Sequence, residues 1–319
     1  MFKEYTIENQ YIRLSVLNLG SSITEIYLKE SDQDITLRYQ NDDQYIQNPV
    51  SLNSVVGPHA GRIKNASYRN ELGELVSMEA NDGNNNLHSG KDSIMFQYFM
   101  GEKLSSNSLK MTLNHLGVNY ELLYQLDGRE IIIDFKAHPE KDQTLLNLTQ
   151  HTYFNLSEDA DISNHYILTR ANTVQALDEE GVEKNELLDV RKRKVFDFTQ
   201  WRSVAEVLAS YDKQFEYSKN IDHSFHTNYV ALYHPETKIQ VEIIADSTVS
   251  VIYFGNYFKE TGPYRNRQDQ CDHVAIAVEP QDLPNDVNIH QGPSQFYGPD
   301  KSFSRRIRYR IGEGVEYGN

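Results

Sequence analysis

Hydrophobic and polar positions alternate in short runs along most of the chain. Ile12-Arg13-Leu14-Ser15-Val16 and Ile23-Thr24-Glu25-Ile26-Tyr27-Leu28 each place their apolar side chains on one face of an extended segment, the mark of a half-buried strand. Residues 35–39, 95–101, 109–114 and 120–126 continue the series. Asp127-Gly128, set between Leu122-Leu123-Tyr124-Gln125-Leu126 and Ile131-Ile132-Ile133-Asp134-Phe135, predicts a tight hairpin. Further on, His234-Pro235-Glu236-Thr237 reads as the turn between residues 230–233 and 239–243, and residues 248–254 form a nearly continuous apolar strand. Helix is scarce. Residues 43–48 have room for a turn or two, and residues 201–210, with Val204, Val207 and Leu208 at helical spacing, are the better candidate. Many short strands with frequent turns predict an all-β chain, a large antiparallel β-sandwich with few short helices. With no linker, low-complexity segment or internal repeat in view, residues 1–319 are expected to form a single domain.

One stretch breaks the pattern of ordinary strands. In His273-Val274-Ala275-Ile276-Ala277-Val278-Glu279-Pro280, alternation places Ala275, Ala277 and Glu279 on one face and Ile276 and Val278 on the other. Pro280 and Pro284 cannot donate to a ladder, so the strand is expected to end at the acid. The two methyl groups leave open room beside the carboxylate, as in a floor for a ligand. A strand-terminal Glu facing water is the plainer reading.

Leu145-Leu146-Asn147-Leu148-Thr149-Gln150-His151-Thr152-Tyr153-Phe154 is similarly two-faced. Asn147, Thr149, His151 and Tyr153 line one side, a row of hydrogen-bonding groups that suits a wet concave sheet or a surface strand better than a packed core. His88 stands in Asn84-Asn85-Asn86-Leu87-His88-Ser89-Gly90, a loop able to take left-handed conformations. Arg62, after Gly57-Pro58-His59-Ala60-Gly61, and Asp222, in Asn220-Ile221-Asp222-His223, are by themselves a surface Arg and a turn residue.

Charge narrows the field. Lys and Arg number 31 against 46 Asp and Glu, a formal net charge of −15, which argues against nucleic acid and anionic membrane surfaces as partners. The Arg191-Lys192-Arg193-Lys194 run then reads as a solvated loop face. A single cysteine, Cys271, excludes an intrachain disulfide and fits a reducing compartment. The first residues lack the apolar core of a signal peptide, and no apolar run approaches about 18 residues. The expectation is a cytoplasmic protein, and the sequons at Asn65, Asn147 and Asn155 are taken as chance.

Taken in order, these segments resemble the aldose 1-epimerase (mutarotase) family, the galactose-mutarotase-like group. That family shows a glycine-rich segment holding an Arg, an Asn-rich loop ending Leu-His-Gly-Gly, and Asn-Leu-Thr-Asn-His-Ser-Tyr-Phe-Asn-Leu. A Leu-Asp-His segment and a strand ending in Glu followed by Gln complete its marks. Here Asn147-Leu148-Thr149-Gln150-His151-Thr152-Tyr153-Phe154-Asn155-Leu156 is the long match, with Leu87-His88-Ser89-Gly90 and Val278-Glu279-Pro280-Gln281 beside it and a shorter one around Asp222. The resemblance implies the family's β-supersandwich with a concave sugar-binding face, no cofactor and no metal. It implies interconversion of the α and β anomers of a free aldose, with a small-molecule sugar as partner. By carry-over, Glu279 looks like the base that takes the C1 hydroxyl proton and His151 like the acid that protonates the ring oxygen. His88, Arg62 and Asp222 look like the residues that hold the sugar. An aromatic near Tyr253-Phe254 could stack on the pyranose or pack into the core.

Three alternatives stay open. The segment Gly57-Pro58-His59-Ala60-Gly61-Arg62-Ile63 lacks an Arg and an Asn found in many mutarotases, Gln150 replaces an Asn, and Ser89 a Gly. A hexose-6-phosphate 1-epimerase would need extra cations, for which Arg265 and Arg267 are candidates. A non-catalytic carbohydrate-binding protein would keep Asp222 and Arg62 without needing the Glu279 and His151 pair. A metal held by His88, His151 and Glu279 is chemically possible, though no His-x-His or His-x-x-x-His spacing supports it.

Overall fold

The computed structural model describes residues 1–214, 222–265, 271–290 and 295–313. Two large antiparallel sheets dominate. One has nine strands in the order Met100–Ser105, Ser108–His115, Val118–Asp127, Glu130–Pro139, Phe303–Glu313, Ile239–Ala245, Tyr229–Tyr233, Tyr166–Thr169 and Arg202–Ser203. The other has six, Tyr153–Phe154, Ile276–Gln281, Val249–Tyr253, Asp222–Phe225, Thr173–Leu177 and Glu183–Asp189. A four-stranded sheet of Glu4–Glu8, Ile12–Leu17, Ser22–Leu28 and Gln33–Asp34 stands beside them.

The alternation seen in the sequence decides what each face meets. Leu122, Tyr124, Ile133, Phe135, Ile307 and Tyr309 from the larger sheet share one buried cluster with Phe154, Ile252, Ile276, Val278 and Phe225 from the smaller, and with Leu14, Val16, Ile23 and Ile26. Burying such side chains contributes about 1.5–3 kcal/mol each. The hairpin at Asp127-Gly128 forms with Asp127 opposite Glu130, and Gly128 supplies the positive φ of 57° that the turn requires. Helix Val204–Gln214 begins later than the sequence suggested and buries Val204 and Val207 against the core. Residues 42–46 make a short 3-10 turn. Arg191 to Lys194 are exposed, as a solvated face requires. Among the described residues no helix is long and apolar enough to cross a membrane.

Three readings of the pattern are corrected. Residues 35–39 do not form a strand of their own; only single bridges join Thr36 to Phe154 and Tyr39 to Tyr264, because these residues fill a crossing between layers. Residues 94–96 make a 3-10 turn, and the strand expected there starts at Met100. The strand carrying Glu279 runs on through Pro280 to Gln281, paired with Val249–Tyr253. Pro280 is tolerated because a strand residue's N–H and C=O point to the same edge. Its carbonyl accepts from Thr149 Oγ1 at 2.8 Å, so the missing N–H faces away from the ladder with Val249–Tyr253.

The two large sheets meet at Phe154, fully buried, whose ring lies edge-on to Tyr309 with centroids 5.2 Å apart. Phe154→Ala should lower stability by about 3–5 kcal/mol through lost burial and the cavity left behind, measured by urea denaturation. A loss below about 1 kcal/mol would mean the sheets do not depend on this contact.

Candidate functional site

Glu279 lies on the face of the six-stranded sheet opposite the main core. That face is packed at the two alanines. Ala275 and Ala277 are fully buried in a second apolar cluster under Tyr153, Tyr253 and Phe258. The small residues therefore admit aromatic rings rather than ligand. Tyr253 and Phe254 are both packed inside, at 8% and 0% exposure.

The segment leading to His151 is not one continuous strand. Residues 149–150 pair with Val55–Val56, while Tyr153–Phe154 pair with Ala277 and Ile276. His151 sits in the break. Its N–H donates to Ser54 O at 3.0 Å, its carbonyl accepts from Asn53 N at 3.1 Å, and the Asn53 side chain accepts from Tyr153 N at 2.8 Å. Asn53 itself has φ 54°, a left-handed position that Asn tolerates better than most residues. The polar row Asn147, Thr149, His151 and Tyr153 is thus neither wet nor on the surface: Asn147 and Thr149 are fully buried and spend their polar atoms inside the protein.

From this break the His151 ring reaches the acid, with Nε2 lying 3.2 Å from Glu279 Oε1. Exposures are 4% and 2%. Beneath it the Tyr153 ring is stacked at 4.9 Å with planes 27° apart, and the Tyr153 hydroxyl donates to Val50 O at 2.9 Å. Burial pushes His151 down from 6.5 to about 4, so the imidazole is neutral at pH 7 with its Nε2–H facing the carboxylate.

His88 stands edge-on to His151, ring centroids 5.6 Å apart at 83°. Its loop takes three left-handed residues in succession, His88, Ser89 and Gly90 at φ 53°, 66° and 56°. Gly61 N–H donates to His88 Nδ1 at 3.1 Å, which places the ring proton of the neutral form on Nε2. Burial, then the neighbouring His151 and Arg62, hold His88 well below the usual imidazole range. Gly61 is needed where it stands: at φ 80° a Cβ would come within 2.5 Å of Pro284 Cβ, displacing the loop that follows Glu279. Arg62 pairs across a short ladder with Leu87 and is buried, its Nε donating to Asp82 Oδ2 at 2.7 Å. It is not the surface residue its context suggested.

Asp222 opens a strand of the six-stranded sheet, in register with Tyr253, which in turn faces Ala277; its side chain lies outside the described part of the structure. Arg265 is exposed, its backbone N–H donating to Arg38 O at 2.9 Å. Arg267 lies outside the described residues. The fold therefore gathers Glu279, His151, His88 and Arg62.

The donor atoms of His88, His151 and Glu279 all lie within 4.8 Å of one another. Two imidazoles and a carboxylate could hold a divalent cation there, a grouping that linear spacing did not reveal because distant segments supply it. Equally, a carboxylate in contact with an imidazole is the arrangement for moving two protons on one small substrate. Residues the sequence reading missed are Asn53 and Ser54, which hold the His151 backbone. Arg305 was missed too, buried at an inward position of Phe303–Glu313 between Phe303 and Ile307. Alternation could have flagged that arginine, since it falls in the apolar phase of its strand.

The family model for aldose 1-epimerase matches residues 3–310. An aldose 1-epimerase of Haemophilus influenzae is 30% identical over 84% of this chain and 82% of its own length. The galactose mutarotase of Homo sapiens is 23% identical over 97% of this chain and 94% of its own. Among solved structures, a GalM/aldose epimerase homologue from C. elegans superposes with a TM-score of 0.90 at 19% identity, covering 99% of this chain and 100% of that one. A galactose 1-epimerase from Lactobacillus acidophilus gives 0.85 at 23% identity and 99% coverage of both. The fold is the galactose mutarotase-like one.

The buried imidazoles set a pH dependence of stability. His59, His151 and His223 are pushed by burial to about 4, 4 and 3, below the 6.5 of an unfolded chain. Between those values the unfolded state binds more protons, so stability rises with pH through that window and is lost as pH falls below about 6.5. Urea midpoints at pH 7.5, 5.5 and 4.5 should decline in that order. A midpoint that held steady down to pH 4.5 would contradict the burial of these rings.

Proposed function

The chain belongs to the aldose 1-epimerase family, and on that premise we propose that it interconverts the α and β anomers of a free aldohexose. The reading assigns Glu279 as the base that takes the C1 hydroxyl proton and His151 as the acid that protonates the ring oxygen. Ring opening gives the free aldehyde, which turns about C1–C2 and closes on the other face with both transfers reversed. His88, Arg62 and Asp222 hold the sugar. No cofactor is required for these steps, and none is assigned.

The observation that supports the reading is the buried 3.2 Å contact between His151 Nε2 and Glu279 Oε1. Hemiacetal opening needs one proton removed and one delivered almost together, and an acid–base pair does this with about 10²–10⁴-fold from each partner. Because burial leaves His151 neutral at pH 7, the pair must take up one proton, carried by His151, before it works. Before opening, an imidazolium faces a carboxylate; afterwards a neutral imidazole faces a carboxylic acid. Both arrangements have zero net charge, and a dry pocket disfavours the ion pair relative to the neutral pair, which favours the transfer. Burial also makes the imidazolium a stronger acid than a solvated one, which suits donation to a weakly basic ether oxygen.

Polarimetry of freshly dissolved α-glucose, α-galactose and their 6-phosphates tests the reading. Glu279→Gln and His151→Asn should each lower the enzymatic rate by about 10²–10⁴-fold while sugar binding, followed by calorimetry, persists. Retained activity in Glu279→Gln removes that residue from the base role. Acceleration of the phosphates alone would transfer the chain to hexose-6-phosphate chemistry, and binding without acceleration would make it a carbohydrate-binding protein.

A further inference from the structure

The contact between His151 and Glu279 joins two segments that share a backbone ladder only at Tyr153–Phe154 and Ile276–Ala277. Past that point, where the two functional side chains emerge, side chains replace the ladder. Thr149 Oγ1 donates to Pro280 O at 2.8 Å. Asn147 Nδ2 donates to Asp282 O at 2.9 Å and to Gln281 Oε1 at 3.3 Å, and Asn147 Oδ1 accepts from Asp282 N at 2.9 Å. A third element closes this seam. Arg305, 4% exposed on Phe303–Glu313 of the nine-stranded sheet, donates from Nη1 to Asn147 Oδ1 at 3.0 Å and to Leu148 O at 2.5 Å. Its Nη2 is 2.8 Å from Asp282 Oδ2.

We propose that Arg305 is a positioning residue that sets the separation of His151 and Glu279, by clamping the segment that leads into the histidine to the segment that leaves the glutamate. One guanidinium touches both segments, and it does so from a different sheet. The planar fork of donors allows this, reaching a carboxylate, an amide oxygen and a backbone carbonyl at once. A lysine in its place offers a single ammonium and cannot hold all three in the same geometry. Arg305 bonds to Asn147, Leu148 and Asp282, so its effect on chemistry runs through the placement of the segments they belong to. Misplacement of reacting groups by about 1 Å lowers rate by about 10²-fold.

The inference rests on the acid–base reading for its kinetic arm and carries a second arm that does not. Arg305→Met should lower kcat by roughly 10–10²-fold with KM for the sugar within about twofold, because groups that hold hydroxyls are untouched. Arg305→Lys should recover part of the loss. In parallel, the His151 imidazole resonance, assigned by its absence in His151→Asn, should shift in Arg305→Met at pH 7 relative to wild type. If Arg305→Met fails to fold by circular dichroism, Asp282→Asn replaces it: that side chain is 25% exposed, and the variant removes the ion pair while keeping the shape. A folded variant with unchanged kcat and an unmoved His151 resonance overturns the proposal, as does a kcat loss no larger than the loss of folded protein. If wild type anomerises none of the sugars, the acid–base reading fails, and the His151 resonance alone decides whether the clamp exists.

Discussion

A carboxylate and an imidazole can face each other at 3.2 Å inside a protein only if their backbones are held more firmly than the pair itself holds them. Two ionisable groups taken out of water bring a desolvation penalty that their attraction need not repay. Here the holding is done by hydrogen bonds around them. The His151 backbone is tied to Asn53 and Ser54, its ring lies on Tyr153, and Glu279 sits on a strand buried on both faces. The contact is therefore a product of the frame, and changes in the frame pass directly to the pair.

The frame has a logic that follows from the sheet. A strand buried on both faces must satisfy each edge, and the edge of Ile276–Gln281 away from Val249–Tyr253 pairs with backbone only as far as Ala277. Beyond that residue an ordinary sheet would continue. This one bends away so that His151 can turn toward the acid, and its lost ladder bonds are replaced by Thr149 and Asn147. Asn147 is the hub, for its backbone also bonds to Pro58 O and Ala60 N at 2.7 and 2.8 Å. That links it to the glycine-rich segment carrying Arg62. Buried polar groups that pair with one another favour one arrangement, and this network ties together the segments that carry His151, Glu279 and Arg62.

How much of this was legible in the residues depends on whether a feature is local. Alternation found Ser108–His115, Val118–Asp127, Glu130–Pro139 and Ile239–Ala245 because each lies in a sheet with one clear inner face. It failed at residues 35–39, which serve as a crossing between layers rather than as a ladder. Glu279 and His151 stood out in the sequence, yet for partly mistaken reasons. The methyl groups of Ala275 and Ala277 were read as room for ligand and instead receive Tyr153 and Tyr253. The polar row was read as wet and is instead the seam. Burial of Arg62 and the meeting of His88 with His151 depend on which distant segments touch, and no spacing within one segment encodes that.

The long motif from Asn147 to Leu156 can now be taken apart by what each side chain touches. Leu148, Phe154 and Leu156 fill the core, Asn147 and Thr149 stitch the neighbouring strand, Gln150 binds Asn53 O and Tyr124, and Tyr153 supports a ring. Only His151 has a polar ring nitrogen directed at the acid. Most of what makes the segment recognisable is thus the requirement of holding one imidazole in a break between two ladders. The same requirement explains why the departures at Gln150 and Ser89 are tolerable. Gln150 still caps Asn53 O and accepts from Tyr124, and Ser89 exchanges hydrogen bonds with the His59 backbone at 2.9 and 3.1 Å. Both substitutions are absorbed by the frame, through bonds to Asn53, Tyr124 and the His59 backbone.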